Sequence, residues 1–350
     1  MPLVQPLVPG ITQGIDVGPV TRWLVENIPG AVAPFTFDVI AGGRSNLTFR
    51  VTGAEGTRYV LRRPPLGHVL ATAHDMAREH RIISAVGSTG VPVPPCLGLC
   101  TDDAVNGAPF YVMGFVDGAV LDSPARAELL SPALRPAAAE HLVDVLADLH
   151  AVDVDAVGLG DLAKREGYVE RQVKRWSSQW DNSKTRELPA IDEVAELLRR
   201  HMPAQQGVSI AHGDYRFGNV LTDLQTGRVN AVLDWELCTL GDPLADLGYL
   251  GVYWYRPEVG TARDNDPTGA GGFLSYDDVV ARYAARTGRD VSAIDYYVAF
   301  GAFRLAVISE GVYARYMNGA MGSVDGVNLD SFKVGAEVLS AQALAALQRL

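Results

Sequence analysis

The chain has 350 residues, of which 48 % are hydrophobic and 20 % are charged, and this composition excludes a disordered, collagen-like or coiled-coil protein. At about 150 residues per domain, the length predicts roughly two compact units. The 30 Lys and Arg residues against 41 Asp and Glu residues give a formal net charge of -11. An acidic protein has no long-range attraction to nucleic acid or to an anionic membrane, so neither is expected as a partner.

Cysteine content and hydropathy indicate the compartment. The three cysteines, Cys96, Cys100 and Cys238, are too few for a disulfide framework and indicate a reducing environment. Residues 1–20 contain no Lys or Arg, and a secretory signal begins with such charges. The most apolar late stretch, 294–309, carries two charged residues and is shorter than the roughly 20 apolar residues that cross a bilayer. We therefore expect a soluble cytoplasmic protein.

The first third of the chain is predicted to form a sheet. An amphipathic helix over 20–28 comes first, and a second helix is predicted over 74–86. The helical period ends at Phe35, and five strands separated by turn residues are predicted from there: 35–40, 47–51, 58–63, 96–100 and 109–116. This order predicts a five-stranded antiparallel sheet with one helix packed on it, in a small lobe of about 110 residues.

The rest of the chain is predicted to be mostly helical. Helical periodicity marks six segments: 137–150, 168–180, 191–201, 276–286, 291–316 and 331–347. Two short strands, 220–222 and 229–233, flank a turn and predict a hairpin. The segment 256–272 is rich in Gly, Pro and Asp and is predicted to be a mobile surface loop.

Polar residues gather where these two short strands begin and end. Asp214 and Asn219 lie on one loop before the first strand, and Asp234 follows the second strand. Two carboxylates brought this close repel each other unless one is protonated or a cation bridges them. Carboxylate and amide oxygens are ligands that suit Mg²⁺, which usually takes one or two protein carboxylates together with phosphate oxygens.

The spacing Asp-x-x-x-x-Asn, followed by Asp on the next strand, is the arrangement found in kinases. Over about residues 42–249 the chain resembles the aminoglycoside phosphotransferase family. It is most similar to the branch that forms the kinase domain of acyl-CoA dehydrogenase family members ten and eleven. Three strings carry this finer resemblance: Leu61-Arg62-Arg63-Pro64-Pro65, Ala73-His74-Asp75 with Arg78-Glu79, and Phe110-Tyr111-Val112-Met113.

The resemblance implies a protein-kinase-like bilobal fold of the α+β class. It implies a nucleotide-binding lobe over 1–113, a hinge over 114–118, and a helical lobe over 119–350 that holds the catalytic loop and the acceptor site. The cofactors implied are ATP and Mg²⁺, and the chain is expected as a monomer or homodimer.

Individual roles follow from the same resemblance. Asp214 corresponds to the aspartate that accepts the proton of the substrate hydroxyl, and Asn219 and Asp234 correspond to the two metal ligands. His212 has no Cys or His partner at zinc-ligand spacing, so it is expected to orient the loop by hydrogen bonds. Glu236 stands where protein kinases have glycine and is expected to assist the metal or a nearby water.

Two further carboxylates, Asp242 and Asp246, resemble structural residues of the family. They are expected to brace the catalytic loop and the N-terminus of a helix. An isolated Asp is more often a turn or cap residue, and that interpretation stays open for both.

The nucleotide end of the site has a weaker signature. Ser45 and Asn46 match the turn that covers the phosphates, and Glu79 is the expected partner of the strand cation. That cation is Arg62, where the kinase pattern has lysine, and the planar guanidinium is not interchangeable with an ammonium. The alternative is an ordinary surface ion pair between Arg62 and Glu79, worth at most about 1 kcal/mol.

The strand that leads into the hinge is the expected adenine site. By resemblance, the Gly114 carbonyl and the Val116 amide hydrogen-bond to adenine, and Met113 lines the pocket. A buried strand of no special function would have the same sequence character.

The acceptor is expected to be a small hydroxyl-bearing molecule. Polycationic aminoglycosides favour clustered carboxylates, and the final segment, 341–350, contains none. The branch resemblance favours a hydroxyacyl compound instead. Two other functions stay open: a nucleotide-binding module without catalysis, and, least favoured, a protein kinase, because no Ala-Pro-Glu motif follows Asp234.

Overall fold

The structure is a computed structural model that describes residues 7–8, 14–40, 46–66, 75–257, 263–319 and 328–350. Ser45, the glycine-rich turn before it and His74 were singled out from the sequence and lie outside the described residues.

A six-stranded antiparallel sheet forms the small lobe, in the order β1-β2-β3-β4-β6-β5. Its strands are β1 (Leu7–Val8), β2 (Thr36–Ile40), β3 (Leu47–Thr52), β4 (Arg58–Arg63), β5 (Cys96–Cys100) and β6 (Phe110–Gly114). All five predicted strands are present. The sixth, β1, pairs its two residues with the end of β2, and a two-residue strand is too short to show alternation in the sequence.

Three helices accompany this sheet: α1 (Val17–Asn27), α2 (Met76–Gly87) and the short α3 (Asp103–Asn106). The carboxylate of Asp75 caps α2 by accepting from the Arg78 amide at 2.9 Å. Successive side chains of a strand point to opposite faces, so the core is divided along β6. Phe110 and Val112 pack in the cluster that contains α1, whereas Tyr111 packs with α2 and the large lobe.

Helices dominate the large lobe. They are α4 (Pro124–Ala127), α5 (Arg135–His150), α6 (Tyr168–Ser183), α7 (Pro189–Arg200), α8 (Leu244–Val252), α9 (Tyr276–Thr287), α10 (Ile294–Met317) and α11 (Leu329–Leu347). The longest, α10, packs against both α8 and α11. None of the helices in the described ranges has the length and apolar character needed to cross a membrane.

Two short two-stranded sheets complete the large lobe. One pairs β7 (Ser209–Ala211) with β10 (Thr239–Gly241), and the other is the predicted hairpin of β8 (Val220–Thr222) and β9 (Val229–Val232). The isolated bridge between Ala119 and Thr222 ties the chain leaving the small lobe to this hairpin.

The predicted surface position of the loop over 256–272 is wrong for residues 266–268, which are buried. A 3₁₀ turn spans Pro267–Ala270, and Asp266 is only 4 % exposed. The Arg263 guanidinium donates to the Asp266 carboxylate at 2.7 Å, and the Tyr255 amide donates to the Thr268 hydroxyl at 2.7 Å. These bonds fix a segment whose Gly and Pro content alone indicated a free loop.

Candidate active site

The hairpin and the loop before it bring the polar residues to one place. Because Val220 pairs with Val232, Asn219 and Leu233 leave the same end of the hairpin, and the Leu233 amide donates to the Asn219 carbonyl at 2.8 Å. Asp234 follows directly with φ 65° and ψ 66°. It is the one non-glycine residue of the described ranges with positive φ, a conformation that costs about 1–3 kcal/mol and that often accompanies function.

Asp214 and Asn219 are in direct contact. The Asn219 Nδ2 donates to the Asp214 Oδ2 at 2.6 Å and to the Asp214 carbonyl at 2.8 Å. Both hydrogens of the Asn219 amide group are therefore used. Its Oδ1 takes part in neither bond and can bind another group. The Arg216 Nε lies 3.3 Å from the other carboxylate oxygen of Asp214 and donates to it.

His212 makes the loop-orienting hydrogen bonds that its sequence position predicted. The Asp214 amide donates to His212 Nδ1 at 3.2 Å, so this nitrogen is an acceptor. Its other nitrogen, Nε2, then carries the hydrogen and donates to the Leu233 carbonyl at 2.9 Å. A single fully buried imidazole thus connects the loop of Asp214 to the segment of Asp234.

Asp246 holds the same loop through hydrogen bonds to the loop backbone. Its carboxylate accepts from the His212 amide at 2.6 Å and from the Gly213 amide at 2.8 Å, and the His150 Nε2 lies 3.3 Å away. Burial alone would raise the pKa of Asp246. The hydrogen bond to His150, the electrostatic effects of His150 and His212, and the hydrogen bond from the Gly213 amide together outweigh burial. They hold the pKa of Asp246 below its ordinary value.

Asp242 stabilises the helix that carries Asp246. One oxygen accepts from the Leu244 amide at 3.0 Å at the start of α8, and the other accepts from the Tyr297 hydroxyl at 2.8 Å. The predicted bracing by both carboxylates is therefore present, of the loop by Asp246 and of the helix N-terminus by Asp242.

Gly213 is needed for the path of this loop. Its φ is +83°, and an added Cβ would lie 2.9 Å from the Leu237 carbonyl oxygen. A larger residue would meet both a strained backbone and a fixed neighbour.

Arg62 is surrounded by carboxylates from both lobes. Its Nε lies 3.0 Å from Glu79, and its Nη2 lies 2.7 Å from Asp234 and 3.6 Å from Glu236. The side chains of Arg62 and Glu79 are 13 % and 3 % exposed, so the alternative of a surface ion pair is wrong. Burial alone would lower the pKa of Arg62, but the surrounding oxygens, Tyr111 among them, raise it above its ordinary value.

Glu79 is held by the ion pair with Arg62 and by two hydrogen bonds. Besides Arg62, the Tyr111 hydroxyl donates to it at 3.0 Å and the Asn46 Nδ2 donates at 3.1 Å. Burial raises the pKa of Glu79, and Arg62 and Tyr111 oppose that rise. Asn46 also donates to Glu236 at 3.2 Å, so its amide connects the two lobes.

A cavity of about 230 Å³ separates the lobes beside these residues. Met113, Gly114 and Val116 line it, as do Arg62, Asn219, Asp234 and several apolar side chains. In the sheet Gly114 pairs with Tyr59 and Arg62 pairs with Tyr111, so Gly114 and Arg62 are three residues apart along the strands. The mostly apolar walls with a few polar groups are typical of a site for a small organic ligand.

The structure also places residues at the site that the sequence did not indicate. Tyr111 donates to Glu79, Arg216 pairs with Asp214, and Arg126 lines the cavity. For Arg216 the signal was its position two residues after Asp214. Tyr111 stood in a quoted string but without a role, and Arg126 comes from a separate short helix.

The available oxygens fit a magnesium ion. The Asn219 carbonyl oxygen is free of the amide's two bonds to Asp214, and Asp234 supplies a carboxylate beside it. Hard oxygen donors without a thiolate are the set that Mg²⁺ prefers.

Comparison with known proteins agrees with this geometry. The phosphotransferase enzyme family matches residues 36–284. Mouse acyl-CoA dehydrogenase family member 10 is 36 % identical over 288 residues, which cover 80 % of this chain and 26 % of that protein. Human family member 11 is 33 % identical over 302 residues, covering 84 % and 38 %. The chain thus spans about a quarter to two fifths of the length of these relatives.

Solved structures show the same architecture. The crystal structure of an aminoglycoside phosphotransferase candidate from Ralstonia eutropha JMP134 has a TM-score of 0.80 and 32 % identity, covering 95 % of this chain and 98 % of that chain. A thermostable APH(4)-Ia aminoglycoside phosphotransferase, in ternary complex with AMP-PNP and hygromycin B, has a TM-score of 0.59 and 15 % identity, covering 94 % and 98 %. The predicted kinase-like bilobal fold is confirmed, and the chain belongs to the phosphotransferase enzyme family.

Proposed function

We propose that this protein is an ATP- and Mg²⁺-dependent O-phosphotransferase that acts on a small hydroxyl-bearing molecule. The observation that carries the proposal is the contact between Asp214 and Asn219 at the end of a cavity that Asp234 also lines. A carboxylate, an amide oxygen and a second carboxylate are then available beside one ligand site. Family membership supports phosphate transfer as the reaction class.

The cavity between the lobes is the proposed nucleotide site. Its apolar walls suit a purine ring, and the backbone of Gly114 and Val116 lies at the end where adenine would bind. AMP-PNP bound to the distant relative APH(4)-Ia supports ATP as the donor. Arg62 provides positive charge at the opposite end, where the phosphates would lie.

In the proposed reaction Asp214 holds the acceptor hydroxyl and accepts its proton as the oxygen attacks the γ-phosphorus of ATP. The bond from that phosphorus to the bridging oxygen of the β-phosphate breaks, and ADP leaves. Asn219 and Arg216 each occupy one carboxylate oxygen of Asp214, which fixes the direction of that group. His212 and Asp246 accept hydrogen bonds from backbone amides of this loop and so hold it in position. When bound, Mg²⁺ supplies positive charge to the phosphate oxygens, and Asn219 and Asp234 would hold it.

The acceptor class we favour is a hydroxyacyl compound. The support is the similarity to acyl-CoA dehydrogenase family members, which covers only part of those proteins. We also propose a cytoplasmic location, supported by three cysteines that are all free.

The proposal is tested by incubating the protein with Mg²⁺-ATP and a small-metabolite extract, followed by mass spectrometry for new phosphate esters. Products that form with the wild type and fail to form with Asp214→Asn support it. Nucleotide binding without any new ester would favour the second candidate, a non-catalytic nucleotide-binding module. Arg62, in place of the usual lysine, is the observation that favours that second candidate.

A further inference from the structure

One buried cation of the large lobe has no carboxylate partner among the described residues. Arg304, on α10, is 7 % exposed, and its Nε is fully buried without a hydrogen bond. Across the described part of the chain, no carboxylate lies within ion-pair distance of its guanidinium, and no residue accepts a hydrogen bond from it. Arg216 and Arg263, by contrast, are each paired with an aspartate. A buried charge without a counter-charge costs several kcal/mol, so its retention calls for a reason.

Aromatic side chains connect Arg304 to Asp214. The Arg304 guanidinium lies 5.0 Å from the ring centre of Tyr249, whose hydroxyl is 3.4 Å from that of Tyr253. The Arg216 guanidinium, paired with Asp214, lies 4.8 Å from the Tyr253 ring. Burial raises the pKa of Tyr249, and the negative charge of Asp214 adds to that rise.

Arg304 lies outside the proposed nucleotide site. It is not among the residues that line the cavity between the lobes. Beyond Tyr249 its guanidinium lies 5.5 Å from the Trp176 ring, and the Trp176 Nε1 is a second buried donor without an acceptor. The exposed guanidinium of Arg175 lies 5.4 Å from the same ring. Donors and positive charge thus accumulate here without the acceptors that would satisfy them.

We propose that Arg304 binds an anionic group of the acceptor, so that the acceptor is a hydroxy carboxylate or a similar anion. This inference rests on the proposed phosphotransferase function, and it assigns the substrate class of the same site. The aromatic wall of Tyr249 and Tyr253 packs against the carbon chain, with the hydroxyl at Asp214 and the anion at Arg304. A polycationic acceptor meets like charge at this position.

The test compares three ligands that share a four-carbon skeleton and a hydroxyl: 3-hydroxybutyrate, butane-1,3-diol and 4-aminobutan-2-ol. They differ at one end, which is anionic, neutral or cationic. Binding is measured by calorimetry with the wild-type protein in the presence of Mg²⁺ and AMP-PNP. Because a hydrogen bond to a charged group is worth about 1.5–3 kcal/mol, we expect the carboxylate to bind about tenfold more tightly or better.

Two variants of Arg304 complete the test. Arg304→Met keeps most of the side-chain volume without its charge and is expected to abolish the preference, whereas Arg304→Lys keeps part of it. Because Arg304→Met removes an unpaired buried charge, its melting temperature is expected to equal or exceed that of the wild type. AMP-PNP binding serves as the control and is expected to be unchanged.

Several results would overturn the inference: equal binding of the diol or the amine, no binding of the carboxylate, or an unchanged preference in Arg304→Met. A large fall in the melting temperature of Arg304→Met would assign Arg304 a structural role instead. AMP-PNP transfers no phosphate, so this experiment reports acceptor binding alone. Failure of phosphate transfer would appear only with the metabolite extract, and the two failures are therefore distinguishable.

Discussion

Arg62 of the sheet donates a hydrogen bond to Asp234 of the helical lobe at 2.7 Å, across the cavity that separates the lobes. The same guanidinium contacts Glu79, which is almost fully buried. The positive charge of Arg62 therefore offsets negative charge on Glu79 in the small lobe and on Asp234, a proposed metal ligand, in the large lobe. Because Glu236 is also within 4 Å, the charge of Arg62 is outnumbered by its acidic neighbours. A divalent cation bound at Asp234 would offset this excess of negative charge.

The pair of Arg62 and Glu79 is expected to be strongly coupled. In a double-mutant cycle with Arg62→Met and Glu79→Gln, we expect a coupling free energy of about 2 kcal/mol or more, because Arg62→Met leaves the buried Glu79 carboxylate without its cation. The cycle is measured by urea unfolding. The exposed pair of Arg165 and Asp155 is the control and is expected to give at most about 1 kcal/mol. Equal coupling in the two cycles would contradict this interpretation of the buried pair.

Asp214→Asn is expected to lower the rate of phosphate transfer by about 10²–10⁴-fold, because the substituted amide cannot accept the hydroxyl proton. The melting temperature and the affinity for nucleotide are expected to stay near the wild-type values. Asp161→Asn, which changes a highly exposed carboxylate, is the matched control and is expected to retain full activity. Turnover at the wild-type rate in Asp214→Asn would remove Asp214 from its proposed role.

Asp246 is expected to make folding stability depend on acid pH. Its pKa is lowered in the folded protein, so its contribution is complete above the ordinary value of 3.8 and is lost as the pH falls below it. Asp246→Asn is therefore expected to cost about 3–5 kcal/mol at neutral pH and less near pH 3. The free energy of unfolding, measured by urea titration at both values, checks this.

The control for Asp246 is Asp148→Asn, which changes an exposed partner of Arg286 and is expected to cost under about 1 kcal/mol. A cost for Asp246→Asn that stays constant between the two pH values would show that its carboxylate charge has no part in stability.

Gly213→Ala is expected to destabilise the protein by about 1–3 kcal/mol and to reduce turnover, since it combines positive φ with a contact of 2.9 Å to the Leu237 carbonyl. Gly158→Ala separates the two causes, because Gly158 has φ +73° and nothing within 4 Å of an added Cβ. We expect that variant to lose about 1 kcal/mol and to keep its activity. Thermal unfolding and initial rates measure both effects, and identical behaviour of the two variants would exclude the proposed clash.

The sequence predicted those parts of the fold that show a clear period. Buried and less buried residues alternate in β3, and α6, α7 and α9 each bury a stripe of residues at helical spacing. By contrast, all nine residues of α8 are buried, so it has no polar face and no helical period to detect. The three-residue strands β7 and β10 are too short for any period.

The same distinction applies to the site. Asp214, Asn219 and Asp234 are close in sequence, so their spacing on two short strands predicted that they would meet. Tyr111 reaches the site from β6, and Arg304 lies against the Tyr249 ring from α10. Both elements are distant in the chain, so these contacts depend on how β6 and α10 pack. The spacing of residues along one loop can be read locally, whereas the pairing or isolation of a buried arginine is a property of the whole fold.

The most direct test of the account is calorimetric titration of AMP-PNP with and without Mg²⁺ into the wild type, Asp234→Asn and Asp117→Asn. Asp117 lies at the other end of the cavity and is the matched control. We expect Mg²⁺ to raise the nucleotide affinity about tenfold or more in the wild type and in Asp117→Asn, and to leave Asp234→Asn nearly unchanged. An equal rise in Asp234→Asn, or no rise in the wild type, would contradict a metal held at Asn219 and Asp234.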